Sequence, residues 1–305
     1  MRPISMVLAA VTVFVLVMAS AIVCAASVPM PWDSGSAVSP LLPDARLIGM
    51  GYAYVAVWDE PNPLYSNPAA FGLGDKTLTL SLGGGLGNIT QEGGLGFVTV
   101  TDVEREAGAG GLGWANVRWK AGEEVSSSHT LSYMVGKQFA SWGALGVGLK
   151  YRMLGGEDFP AIDKERGGLS ADVGLVLSYG ALSLGVLARD ISLDRLEEDE
   201  GDVRAPVYSA GASLRAGSRF TVAADVQGIG STEQEIGNVS CGFEAWITPS
   251  LALRAGVSMG PELNLDAADY SGGIGLRGKG YDVSYAVMFS EGVIRTHYFT
   301  LKKSL

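Results

Sequence analysis

From residue 77 to its last residue the chain repeats one pattern. About ten residues alternate between apolar side chains and small or polar ones, a break follows, and the unit recurs fourteen times. The segments lie near 77–86, 93–101, 109–120, 127–139, 143–154, 167–180, 182–191, 206–217, 219–228, 237–248, 250–259, 269–277, 280–289 and 293–303. A period of two puts alternate side chains on opposite faces of a strand. In the fifth segment Leu145, Val147, Leu149 and Tyr151 alternate with Gly146, Gly148, Lys150 and Arg152. The sixth sets Leu169, Ala171, Val173, Leu175 and Leu177 against Ser170, Asp172, Gly174, Val176 and Ser178. In the eleventh, Leu251, Leu253, Ala255 and Val257 oppose Ala252, Arg254, Gly256 and Ser258. One face of each strand must therefore sit in an apolar medium.

Two packed sheets would satisfy the same alternation, so the connections decide. After even-numbered strands they are short: Ala140-Ser141-Trp142, Ala181, Ser218, Pro249 and Gly278-Lys279, with 102–108 the exception. After odd-numbered strands they are mostly longer, at 155–166, 192–205, 229–236 and 260–268. Such parity around an even strand number predicts an all-β fold, a membrane-spanning antiparallel up-and-down β-barrel of about 14 strands. A sandwich has no reason to keep it. Trp119, Tyr151, Tyr179, Phe220, Tyr270, Tyr281 and Phe289 fall near strand ends, where an amphipathic ring suits the headgroup level. Hydrophobic residues make up 47% and glycines number 43, without a second long apolar run beyond the N-terminus.

That first run extends from Met6 to Val23, after Arg2 and before Ala25 and Ala26, and reads as a secretory signal over residues 1–26. Cys24 leaves with it, so Cys241 has no internal partner. Four prolines (Pro29, Pro31, Pro40 and Pro43) make 27–43 an extended leader. Residues 44–76 then break every period. Gly49, Met50 and Gly51 precede an apolar run from Tyr52 to Trp58, the acidic turn Asp59-Glu60 follows, and then come Pro61, Pro63 and Pro68. Prolines at this density cannot sit inside a helix or a central strand. The segment reads as a compact irregular insert and 77–305 as its container.

Gly-Met-Gly, an apolar run, an acidic turn and then Asn67-Pro68-Ala69-Ala70 form an ordered set that resembles the start of the PorV/PorQ proteins, relatives of the FadL outer-membrane transporters. The likeness covers about thirty residues closely and the barrel by pattern. It implies an N-terminal hatch inside the barrel, with Gly49, Met50, Gly51, Asp59, Asn67, Pro68 and Ala69 as its motif. It implies a cell outer membrane location in a diderm bacterium, and a non-enzymatic role linked to protein export or outer-membrane scaffolding. The implied partners are outer-membrane lipid, the barrel assembly machinery and secretion-system or exported proteins. The alternative is a FadL-like transporter for hydrophobic small molecules. Outer loops of short to moderate length and acidic character mildly favour the first, since capture of a hydrophobe calls for long apolar ones. The last strand, Thr296 to Leu301, also resembles the family's closing strand, although the chain ends in Lys302-Lys303-Ser304-Leu305 rather than in an aromatic residue.

Inward faces should carry the charges Lys150, Arg152, Asp172, Arg189, Arg215, Asp225, Glu244, Arg254, Arg277 and Asp282. Mixed signs let cross-strand pairs neutralise one another, whether they line a passage or dock the hatch. The remaining chemistry is sparse. Gly108 to Gly113 has the spacing of a dinucleotide fingerprint, yet Trp114, Asn116 and Arg118 continue as a strand where a helix is required. His129, His297 and Cys241 do not make a zinc set, and no nucleophile elbow accompanies the serines before His129. The seven acids between Asp190 and Asp202 lack the ligand spacing of a calcium loop and read as a solvated one. No catalytic residue, metal or cofactor is expected, and a net charge of −10 argues against a nucleic-acid partner.

Overall fold

A computed structural model describes residues 44–59, 62, 64–74, 78–87, 95–104, 108–121, 124–155, 162–193, 206–229, 237–290 and 293–305. The signal segment, the leader and most of the acidic loop lie outside these residues. Two short helices come first, α1 (Ala45–Gly49) and α2 (Ala70–Leu73). The strands are β1 (Thr79–Gly87), β2 (Leu95–Glu104), β3 (Gly108–Ala121), β4 (Glu124–Ala140), β5 (Gly143–Gly155), β6 (Ile162–Tyr179) and β7 (Leu182–Ser192). They continue as β8 (Val207–Ala216), β9 (Phe220–Ile229), β10 (Asn238–Thr248), β11 (Leu251–Met259), β12 (Asp269–Gly278), β13 (Tyr281–Ser290) and β14 (Val293–Ser304).

Each strand pairs antiparallel with its sequence neighbours, and β1 pairs with β14 from Thr79↔Ser304 to Gly87↔Thr296, closing a barrel of 14 strands. The expected strand count and order are met. Two boundaries differ in a consistent way. β6 begins at Ile162 and β4 at Glu124, ahead of the alternating cores, because paired neighbours extend each other's ladders. This leaves only residues 122 and 123 between β3 and β4, so the long connections are not uniform at that end.

Alternation sets the two faces. On β5, Leu145, Val147, Leu149 and Tyr151 are each about half exposed to the outside, whereas Lys150 is 1% exposed. Leu182, Leu184 and Val186 on β7 repeat the arrangement. Those outward residues find no protein cover, and lipid is the medium that suits them. Tyr179, Phe220 and Tyr281 stand outward beside the short turns, with Tyr151, Tyr208 and Tyr270 outward toward the opposite rim. One irregularity matters inside. Asp190 has φ 56°, and between Ala171 and Val173 the β6–β7 register shifts. This bulge turns both Arg189 and Asp190 inward, each 8% exposed.

Candidate functional site

The lumen is where the charges and the insert meet. The described residues between 44 and 74, the expected hatch, lie in it with their backbone against the inward faces of the strands. Asp44 starts α1 as its N-cap, accepting from the Leu47 N–H at 3.0 Å. Its other oxygen meets Lys302 Nζ of β14 at 3.1 Å. Burial by itself would raise the Asp44 carboxyl, but Lys302, the Leu47 N–H and Arg46 hold it below the ordinary carboxylate value. The Ala45 N–H donates to Thr300 Oγ1 at 2.8 Å, fixing the helix to the same strand.

Two ionic clusters flank the hatch. In the first, Arg46 donates to Glu244 of β10 at 2.9 and 2.8 Å and to Asp59 at 3.1 and 3.0 Å. Arg254 of β11 shares Glu244 at 2.7 Å and donates to Ser284 at 3.1 Å. Arg215 of β8 reaches Asp59 at 3.2 Å and lies 4.4 Å above the Trp58 ring. Three guanidinium groups thus hold two carboxylates, which ties the acidic turn to the wall. In the second cluster Lys150 bridges Asp172 at 2.6 Å and Asp190 at 3.3 Å. Arg152 lies 3.8 Å from Asp190, and Arg189 donates to the Tyr65 carbonyl at 2.7 Å. Here the bulge has a purpose, since it aims Asp190 at the lysine.

Between these clusters Asp225 of β9 accepts the Tyr54 N–H at 2.6 Å and the Val55 N–H at 2.8 Å, capturing a corner of hatch backbone. On the other side Asn67, fully buried, donates to the carbonyls of Val55, Leu175 and Val186 at 3.0, 3.2 and 3.0 Å. Its own carbonyl accepts the Ala69 N–H at 3.0 Å, so one side chain pins the hatch to β6 and β7 and starts the turn into α2.

Close approach of hatch to wall requires glycine on the wall. A Cβ at Gly136 or Gly146 would strike the Pro68 carbonyl, at Gly174 Asn67, at Gly185 the Val55 carbonyl, at Gly242 the Met50 carbonyl and at Gly256 Gly51. Gly136, Gly146 and Gly174 are consecutive cross-strand partners, as are Gly242 and Gly256, so the glycines form rows. Backbone lies on backbone there.

The motif residues anticipated in the insert lie at three separate places along the wall. Met50 and Gly51 lie against β10 and β11, Gly49 against β12, Asp59 in the first ionic cluster, and Asn67, Pro68 and Ala69 against β4 to β7. Of the inward charges, eight converge on the hatch or its flanking clusters. Arg277 does not: it pairs with Asp282 at 2.9 Å and covers Trp246 at 4.3 Å near the short turns. Sequence reasoning missed Asp44 and Arg46 as anchors of the hatch and Asp190 as a member of the second cluster. It also counted the wall glycines only as composition, although glycine recurring at inward positions of adjacent strands was the available signal. His129 and His297 face outward, one stacked 5.8 Å from Trp114 and the other 2.7 Å from the Tyr285 hydroxyl.

Solved structures share this fold. A Pseudomonas aeruginosa FadL homologue superposes over 86% of this chain and 97% of its own, with a TM-score of 0.56 at 14% identity. The P. putida toluene transporter TodX does so over 86% and 98%, at 0.61 and 12%. The TodX deltaS2S3 mutant, a monoaromatic hydrocarbon channel, gives 87%, 100%, 0.62 and 13%. No family model matches the sequence, and no curated protein matches it.

Proposed function

We propose that the chain is a hatch-plugged outer-membrane barrel through which hydrophobic small molecules enter, the FadL-like reading, with no enzymatic activity of its own. The observation that carries it is the hatch itself. It is anchored to the lumen wall on strands from β4 to β14, which suits an obstacle that a solute must pass and that keeps other solutes out. A lumen of fourteen strands is wider than one its own side chains can fill, so an unplugged barrel would leak. The kinship in fold with a toluene transporter supports this reading more than one based on export. Residues 1–26 act as the export signal in this reading, and outer-membrane lipid and the assembly machinery are the partners of insertion.

The Asn67-Pro68-Ala69-Ala70 element favours a second reading, a PorV/PorQ-type component tied to protein export or scaffolding. In the barrel that element anchors the hatch, a role both readings need. Native mass spectrometry of protein purified gently from its own membranes separates them. A co-purified small hydrophobe supports transport. An exported protein bound to a barrel with an empty lumen would transfer the assignment to the second reading.

A further inference from the structure

The wall of the barrel is lower on one side. β4 and β6 run for 17 and 18 residues, whereas β11 and β12, which pair with each other, have 9 and 10. Strand residues rise about 3.3 Å each, so the rim opposite the short turns drops between the two sides. The loop on the low side is 260–268, and it is built unlike a solvated connection. Its sequence keeps the alternation of the strand before it. Pro261, Leu263 and Leu265 continue the outward series that ends in Val257 and Met259, with Glu262, Asn264 and Asp266 between them.

Hydrogen bonds give the loop a fixed shape. The Leu263 N–H donates to the Gly260 carbonyl at 3.0 Å, the Asp266 N–H to Asn264 Oδ1 at 2.9 Å and the Ala268 N–H to the Leu265 carbonyl at 3.3 Å. The same Leu265 carbonyl accepts the Tyr270 hydroxyl at 3.0 Å. Tyr270 stands outward on β12, in line with Ile274 and Leu276, so this bond ties the loop to the lipid-facing side of the barrel. Leu263 holds φ 51°, a costly conformation for a bulky residue. Leu263 and Leu265 are nevertheless 56% and 59% exposed, more open than the lipid-facing Leu145 at 53%.

A single exposed leucine on a loop has no meaning by itself. Here a strained backbone presents one, a second lies two residues on, and a hydroxyl of the lipid-facing wall holds the segment between them and β12. Nothing in water rewards that arrangement. An acyl layer does, at a depth where the carboxylates of Glu262 and Asp266 remain among headgroups. We infer that loop 260–268 is a membrane contact: Leu263 and Leu265 sit in the upper acyl layer of the leaflet beside the low rim, extending the lipid-facing belt beyond β11 and β12. The contact rests on the barrel lying in a bilayer, and it holds for transport and for scaffolding alike.

Nitroxide labels on the full-length mature protein in phosphatidylcholine vesicles test it. Leu263→Cys, Asn264→Cys and Leu265→Cys are each labelled in a Cys241→Ser background. Cys241, exposed on the outward face of β10, is labelled in the unsubstituted protein. Electron paramagnetic resonance then compares collisions with oxygen, which concentrates in lipid, and with chromium oxalate, a charged complex that stays in water. The oxygen-to-chromium ratio at 263 and 265 should approach that at Cys241 and exceed that at 264 severalfold. Ratios at 263 and 265 as low as at 264, beside a lipid reading at Cys241, would overturn the contact and leave the proposed function standing. An aqueous reading at Cys241 as well would overturn the bilayer placement and, with it, the proposed function. Tyr270→Phe, which keeps the ring, should lower the ratio at 265; an unchanged ratio would dismiss the hydroxyl as the anchor.

Discussion

Glu244 is where the hatch and the wall are most tightly tied, and Glu244→Gln isolates its charge. The carboxylate is 1% exposed and accepts three short bonds, two from Arg46 and one from Arg254. Hydrogen bonds to charged groups contribute roughly 1.5–3 kcal/mol each, which bounds the loss at about 4.5–9 kcal/mol. The bound is not reached. Glutamine keeps one acceptor oxygen, and Arg46 retains Asp59. Breaking one member of a buried ionic cluster typically costs about 3–5 kcal/mol, here mostly because Arg254 stays buried without its Glu244 counter-charge. The assay is reversible guanidinium unfolding in lipid bilayers, followed by tryptophan fluorescence, and the midpoint should fall by an amount equivalent to that range. A triple variant, Arg46→Met with Glu244→Leu and Arg254→Met, removes all three charges together and should lose less than Glu244→Gln alone. A single variant within about 1 kcal/mol of wild type would refute the reasoning, because it would mean that water reaches this cluster and screens it.

Three further outcomes follow from the same geometry. Gly146→Ala places a methyl against the Pro68 carbonyl, where neither backbone can yield, and should destabilise by about 3 kcal/mol or expel the hatch; Gly272→Ala, facing open space, should stay within about 0.5 kcal/mol in the same unfolding assay. Because the Asp44 carboxyl is held low when folded, its stabilisation is present above the ordinary carboxylate value of 3.8 and is lost as pH falls below it. Unfolding midpoints of wild type and Asp44→Asn should therefore differ at pH 6, with the gap narrowing as the pH falls below 3.8; a constant gap would dismiss the Lys302 pairing as a source of stability. Deleting residues 44–72 should raise passive leakage of a small solute from reconstituted vesicles, and unchanged leakage would place the segment outside the conducting path.

The strand ladder was readable because its cause is local. Period two and an apolar outward face recur in each strand, and closure through β1 and β14 follows once an even number of strands alternates direction. Lys150 and Asp172 could be assigned inward by parity, but their bond required knowing that β5 and β6 pair Gly148 with Asp172. The bulge at Asp190 broke that parity and hid a third member of the cluster. Resemblance points to Asn67 but not to its three carbonyl partners, since those belong to residues up to 119 positions away. Arg46 gave even less, a lone cation in an apolar helix. Long-range pairing leaves no local periodicity to read.

The glycine rows have a consequence for how such a chain can change over time. Where a hatch backbone occupies the space of the missing side chains, wall and hatch are cut to a single pattern. An alanine arising on the wall closes the seat for the hatch, and a reshaped hatch leaves glycines with nothing to seat, so neither partner drifts freely. Hatches should thus travel with their barrels: a chimera exchanging residues 44–74 with those of a distant relative will assemble only if its wall carries glycine in the donor's rows.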